Sequence, residues 1–221
     1  STMPSKGRFY PDDIVVKIRP AKVAEIRHFS TMDENNILDI DDKLNAIVES
    51  CTTVNSKTAR MSVKDILEED RFVLILSIRD LTFPEPEAIL KVEHQTADGK
   101  KHEVEIKRDY FQYFSIPADI DKYYDSKHKG FLIKTRSHGE FVMKPPTVGT
   151  MQEITKYIKE RREKGLNIDQ SLIQVAPYIA VDWRTFNQKR LFDLEIEMNG
   201  WDPKKYMLIY RIAEQLKVGL Q

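Results

Sequence analysis

The chain has 221 residues, with 41% hydrophobic and 32% charged side chains, and its 35 Lys+Arg balance 35 Asp+Glu. That composition suits a globular protein with a real core, organised as one large domain or two small ones. Zero net charge excludes a whole-molecule field that would draw the protein to nucleic acid or an anionic membrane, and it favours association over a highly soluble monomer.

Residues 1–13 (STMPSKGRFYPDD) place prolines and a glycine around the pair Phe9–Tyr10 and read as an extended arm. Ile14, Val16 and Ile18 alternate with Val15, Lys17 and Arg19, which predicts a strand that Pro20 stops. A short helix is expected over Lys22–Phe29, then a polar loop. Ile40, Leu44, Ile47, Val48 and Cys51 fall on one face of an amphipathic helix. Residues 52–61 read as a polar linker. Ser62 and Asp65 then mark the start of a core helix running to Phe83, carried by Val63, Ile66, Leu67, Leu74, Ile78 and Leu81. Its centre, Phe72–Leu76, is apolar all round and is expected to be covered on every side. A short strand over Phe72–Ile78 is the rival reading.

The pattern changes after Pro84 and Pro86. Ala88, Leu90 and Val92 alternate on one side of Ala97-Asp98-Gly99, with Val104 and Ile106 on the other. A three-residue hairpin loop ending in a left-handed Gly99 sets Val92 against Val104, Leu90 against Ile106 and His94 against His102. A two-residue turn would set Val104 against Glu93, which the apolar pattern rejects. Tyr110–Ile116 reads as an aromatic third strand. Phe131–Thr135 and Glu140–Met143 read as a second hairpin, giving a small antiparallel sheet of four or five strands over 87–143.

From Pro145 the chain reads as helical. Thr150 and Glu153 form a capping-box pattern ahead of Ile154, Tyr157 and Ile158, and Gly165 stops that helix. Leu172, Ile173, Val175 and Ala176 precede Pro177, which is expected to end or kink the next one. Phe186–Met198 is a third helix. Asp202 caps a fourth, with Pro203 at its first position and Met207, Leu208, Ile212 and Leu216 facing inward. The class is α+β: an N-terminal part (1–83), central hairpins (84–144) and C-terminal helices (145–221), separate or as one domain.

Candidate chemistry is sparse. His94 and His102 share a hairpin face, yet zinc needs a third or fourth ligand, and Glu93 and Glu103 point the other way. No metal site is therefore expected. Cys51, the only cysteine, sits on an apolar helix face and reads as a small buried hydrophobe; no internal disulfide can form, which fits a reducing compartment. Glu68-Glu69-Asp70 and Asp39–Asp42 read as solvated helix faces and caps. No phosphate loop, nucleophile elbow or metal-spaced helix is present, so no catalytic residue and no cofactor is expected. No apolar run approaches the roughly 18 residues of a membrane span, and the first residues lack a signal-peptide core. Lys156–Lys164 carries five basic and two acidic residues. It reads as the solvent face of an amphipathic helix, with a phosphate-binding stripe as the alternative. The aromatic run Tyr110–Phe114 reads as sheet packing rather than a base-stacking platform.

Pro4, Ser5, Gly7, Tyr10 and Pro11, then Arg19-Pro20 and Glu25, with Ile78-Arg79 later, resemble the opening of baseplate hub assembly proteins of T-even-like tailed bacteriophages. Met3 stands where those proteins usually have leucine. Lys144–Met151 (KPPTVGTM) is similar to a Pro-Thr-x-Gly element of the same proteins and of phage tail assembly chaperones. The likeness covers about residues 1–110 and this later patch. It implies a non-enzymatic assembly factor or hub component, working in the host cytoplasm or in the tail baseplate. Its partners would be other hub proteins or further copies of itself, without membrane or nucleic acid. The contacts it suggests are Phe9, Tyr10, Pro11, Arg19, Pro20, Pro146, Thr147 and Gly149. The arm either orders on a partner through Phe9 and Tyr10 or folds back on its own core. A nucleic-acid module using the basic 156–164 helix is the alternative.

Overall fold

The structure, a computed structural model, describes residues 3–84, 90–95, 99–106, 116–135, 139–179 and 182–218. Helices stand at both ends of the chain and antiparallel strands lie between them, so the fold is α+β. Strand β1 (Val15–Ile18) ends at Arg19-Pro20 as expected and pairs antiparallel with β2 (Thr52–Asn55), Val16 opposite Val54. The sequence reading took β2 for linker. Its side chains alternate buried Thr52 and Val54 with exposed Thr53 and Asn55, a half-buried strand whose polar content hides the period. Between them run α1 (Val23–Phe29) and α2 (Ile37–Cys51). Asn36 caps α2 by accepting hydrogen bonds from the Leu38 and Asp39 N–H groups. Val48 and Cys51 are buried, as the amphipathic stripe predicts.

The core helix starts later than expected. Asp65 does accept a hydrogen bond from the Ser62 N–H at 2.8 Å, but that pair closes only a 3-10 turn, Val63–Asp65. The chain bends at Ile66–Leu67, and α3 runs over Glu68–Thr82. Asp70, Leu74 and Ile78 then face inward at i, i+4 and i+8. One stripe is buried rather than the whole circumference: Phe72 and Leu81 remain 46% and 47% exposed.

Strands β3 (Leu90–Gln95) and β4 (Lys101–Ile106) pair in the expected register, Val92 opposite Val104 and His94 opposite His102. Gly99 has φ of +79°, the left-handed conformation that the three-residue loop requires. Ala97, Asp98 and the aromatic run 110–115 lie outside the described residues. A short helix α4 (Ala118–Asp121) leads into β5 (Tyr124–Asp125), β6 (Gly130–Thr135) and β7 (Gly139–Met143), a three-stranded sheet with β6 at its centre. The described strands of 87–143 thus form two sheets, not one, and β5 was missed because two residues carry no period.

Helix α5 (Val148–Glu163) is capped by Thr147, whose hydroxyl accepts the Thr150 N–H at 3.2 Å. Thr150 itself is fully buried one turn inside, so the cap lies three residues earlier than expected and is a single hydroxyl cap in place of the Thr150–Glu153 box. Helix α6 (Gln170–Ile179) ends two residues beyond Pro177, and α7 (Gln188–Asn199) starts from an Asn187 cap. In α8 (Pro203–Val218) Asp202 accepts the Lys205 N–H at 2.9 Å, as the Asp-Pro pair predicts. Met207 points outward instead of inward, and Ile209 joins Ile212 and Leu216 in the core. Buried residues from Phe9 to Leu216 form one continuous apolar cluster, drawn from all three sequence segments.

Candidate functional site

The N-terminal segment and the residues that open α5 both meet the head of α3. Asp70 is completely buried and its carboxylate is held by the N-terminal segment. The Ser5 N–H donates to Oδ1 at 3.0 Å, while the Ser5 hydroxyl and the Tyr10 hydroxyl both donate to Oδ2 at 2.6 Å. Tyr10 Oη in turn accepts the Leu67 N–H at 2.9 Å, one of the donors a helix start leaves over. Burial pushes the Asp70 carboxyl and the Tyr10 phenol upward, and the hydrogen bonds from Ser5 and Tyr10 pull Asp70 back down. Phe9 packs beside this site against Tyr124 and Phe131, with ring centroids 6.2 and 6.0 Å away. The N-terminal segment is therefore not an extended arm. It folds back through a series of turns, and Phe9 and Tyr10 belong to this chain's own core.

The later patch reaches the same place. The Pro146 carbonyl accepts the Glu68 N–H at 2.9 Å, and the Val148 N–H donates to the Ile66 carbonyl at 2.8 Å. Gly149 is buried under Trp183, whose Nε1 donates to Asp65 Oδ1 at 3.0 Å. Arg19 pairs with Glu25 at 2.5 Å and donates to the Ser50 carbonyl at 2.8 Å, tying β1 to α1 and α2. Of the eight suggested contact residues, only Pro20 is exposed; Pro11, Arg19 and Thr147 are half-buried, and the rest are inside.

Beside this junction lies a cleft of about 270 Å³, where α3, α5, α6 and α8 meet. Pro146, Met151, Ile173 and Pro177 supply its apolar walls, and Glu68, Glu69 and Glu214 supply acid. Lys217, Tyr178 and Gln174 complete the polar part of the lining. Glu68 is engaged by Arg71 at 3.0 Å, and Arg71 also reaches Asp41 at 2.7 Å. Glu69 differs: its Oε2 is buried and has no hydrogen-bond partner. Burial pushes the Glu69 carboxyl up to about 8; its own backbone N–H offsets part of this, and the neighbouring Asp70 and Glu68 charges add to it. Tyr178 is also raised, first by burial and then by Glu69 and Glu214. Among the described residues no three or more His, Cys, Asp or Glu side chains are grouped to hold a metal ion.

Glu69 and Asp70 were expected to be solvated, and this is where the sequence reading misses most. The available signal is that Asp70 shares the i, i+4, i+8 stripe with Leu74 and Ile78. In the basic helix, Lys156 pairs with Glu153 within α5 at 3.1 Å, as expected of a solvent face, whereas Arg161 reaches across to Glu195 on α7 at 3.7 Å. Cys51 is buried beside the Arg19–Glu25 pair, and burial raises its thiol.

No family model, curated protein or solved structure matches this chain.

The Glu69 carboxyl makes the stability of the fold pH-dependent in a definite direction. Its value in the folded chain, about 8, lies above the ordinary 4.5, so the fold binds a proton there that the unfolded chain releases. Stability is fully present below the ordinary value and falls as pH rises towards about 8. Glu69→Gln is therefore expected to gain on the parent chain across that window, by at most ~1.4 kcal/mol per pH unit. Urea unfolding of both proteins at about pH 5, 7 and 9 measures the gain. Parallel stability curves would show that Glu69 is ionised throughout.

Proposed function

We propose that this chain is a non-enzymatic assembly protein of a bacteriophage tail, either an assembly factor or a component of the baseplate hub. It acts through contacts with other hub proteins in the host cytoplasm. The observation that carries the reading is a convergence. The opening residues of the resemblance, Pro4–Pro11, and its later patch, Lys144–Met151, both close on residues Ile66–Asp70. Here Ser5 and Tyr10 fix Asp70 from one side, while Pro146 and Val148 fix Ile66 and Glu68 from the other. Such residues define the scaffold, and partner contacts are left to the surface around it, of which the cleft beside Glu69 is a concave part.

The test is co-expression of the tagged chain with the hub proteins of a tailed phage, followed by capture and by mass spectrometry of purified particles. Stoichiometric co-purification with one or more hub proteins is the expected result. Absence of every hub protein from the captured material, together with normal baseplates formed without the chain, would overturn it. Capture of DNA with a steep loss on added salt would instead favour the basic 156–164 helix.

A further inference from the structure

The cleft holds an unmet requirement. A buried carboxylate oxygen without a donor is unfavourable unless something supplies one, and Glu69 Oε2 is such an atom. Its neighbours restrict what that donor can be. Glu68 is already engaged by Arg71, and Glu69, once ionised, and Glu214 outnumber the one lining cation, Lys217, so an anion is disfavoured. The acids do not converge as metal ligands do. A purely apolar guest would leave the oxygen unsatisfied. A neutral donor would satisfy the oxygen more weakly than a charged one, so the best match is an organic cation with N–H donors and a hydrocarbon stem to lie on Pro146, Met151, Ile173 and Pro177.

We propose that this cleft receives one lysine or arginine side chain of a partner protein, with the stem against those apolar walls and the cation donating to Glu69. The inference rests on the assembly reading and names the chemistry of the contact. A charged side chain entering such a pocket is a typical anchor, because its hydrogen bond to an ionised acid is stronger than one between neutral groups. The raised Glu69 carboxyl gives the event a second signature: an arriving cation favours the ionised form, so binding releases a proton. Glu68 and Asp70 on α3, Glu214 and Lys217 on α8 and Tyr178 on α6 are the other titratable groups facing it. The α5 side of the cleft, Pro146 and Met151, contributes none.

The test uses the full chain and n-butylammonium, a mimic of the lysine side chain, with n-butanol as the neutral counterpart of similar shape. Binding is followed by NMR titration and by proton release in two buffers. The cation is expected to bind about tenfold more tightly than the alcohol, and more tightly still as pH rises from about 6 to about 8. Glu69→Gln should abolish that preference. Glu214→Gln, on another helix, should reduce it and serves if the first variant does not fold. Equal affinity for cation and alcohol, no saturable binding by the cation, or a preference untouched by both substitutions would overturn the proposal. Failure here beside successful capture of hub proteins removes the receptor and leaves the assembly reading; binding here without any hub partner does the reverse.

Discussion

Tyr10→Phe is expected to lower the unfolding free energy by about 2–4 kcal/mol, roughly 5–15 °C in melting temperature for a chain of this size. The change removes one oxygen and nearly nothing else, since the ring stays in place. That oxygen donates to Asp70 Oδ2 at 2.6 Å and accepts the Leu67 N–H at 2.9 Å, so its loss weakens one charge-assisted bond and orphans one buried donor. Asp70 is fully buried and keeps only the two Ser5 donors. A double-mutant cycle with Asp70→Asn isolates the pairwise part, which should be well above the value for a surface pair. Removing residues 1–10 should be worse than either substitution, because Phe9 leaves the core as well. An unchanged melting temperature for Tyr10→Phe would mean that the N-terminal segment is free of the core.

The same contact shows what a sequence can and cannot reveal. Gly99 and the alternation of Leu90, Val92, Val104 and Ile106 are local, so the hairpin register is legible from them alone. The Asn36 cap, the Asp202-Pro203 start and the α2 stripe are local in the same way. β2 is not, because four mostly polar residues become a strand only through β1, some thirty-five residues earlier. Phe9 and Tyr10 pose the same difficulty in sharper form. An aromatic pair between prolines needs a pocket, and its composition does not say whose. The answer lies at Asp70, whose burial depends on α3 starting at Glu68 rather than at Ser62. An acid at the head of a helix reads as a cap until its place on the Leu74–Ile78 stripe is counted. The cleft was illegible for a related reason: its lining comes from four helices, and each contributes residues that look ordinary on their own.

Gly149 tests the other side of the junction, and the sign of the effect is the point. Replacing a helical glycine by alanine ordinarily stabilises by about 1 kcal/mol, because the backbone loses less freedom on folding. At Gly149 a Cβ would stand 2.6 Å from Trp183 Cγ and 2.9 Å from Trp183 Cβ, atoms close to the root of that side chain. A rotamer change at the tip cannot relieve such a clash, so α5 and the Trp183 segment must separate. Trp183 Nε1 then pulls away from Asp65, to which Arg184 is also bound at 2.9 and 3.0 Å. Asp65 in turn holds the Ser62 N–H at the turn before α3. Overpacking of this kind typically destabilises by about 1–3 kcal/mol, and strain on the Asp65 hydrogen bonds adds to it. Gly149→Ala is therefore expected to melt several degrees below the parent chain, opposite to the propensity effect. Trp183→Gly should also destabilise, by emptying the space over Gly149, but Gly149→Ala added to it should cause little further loss, because the residue then has neither the Cβ nor the Cγ that the new methyl would meet. Strict additivity of the two substitutions, or a rise in melting temperature for Gly149→Ala alone, would show that the helix does not meet the indole at this glycine.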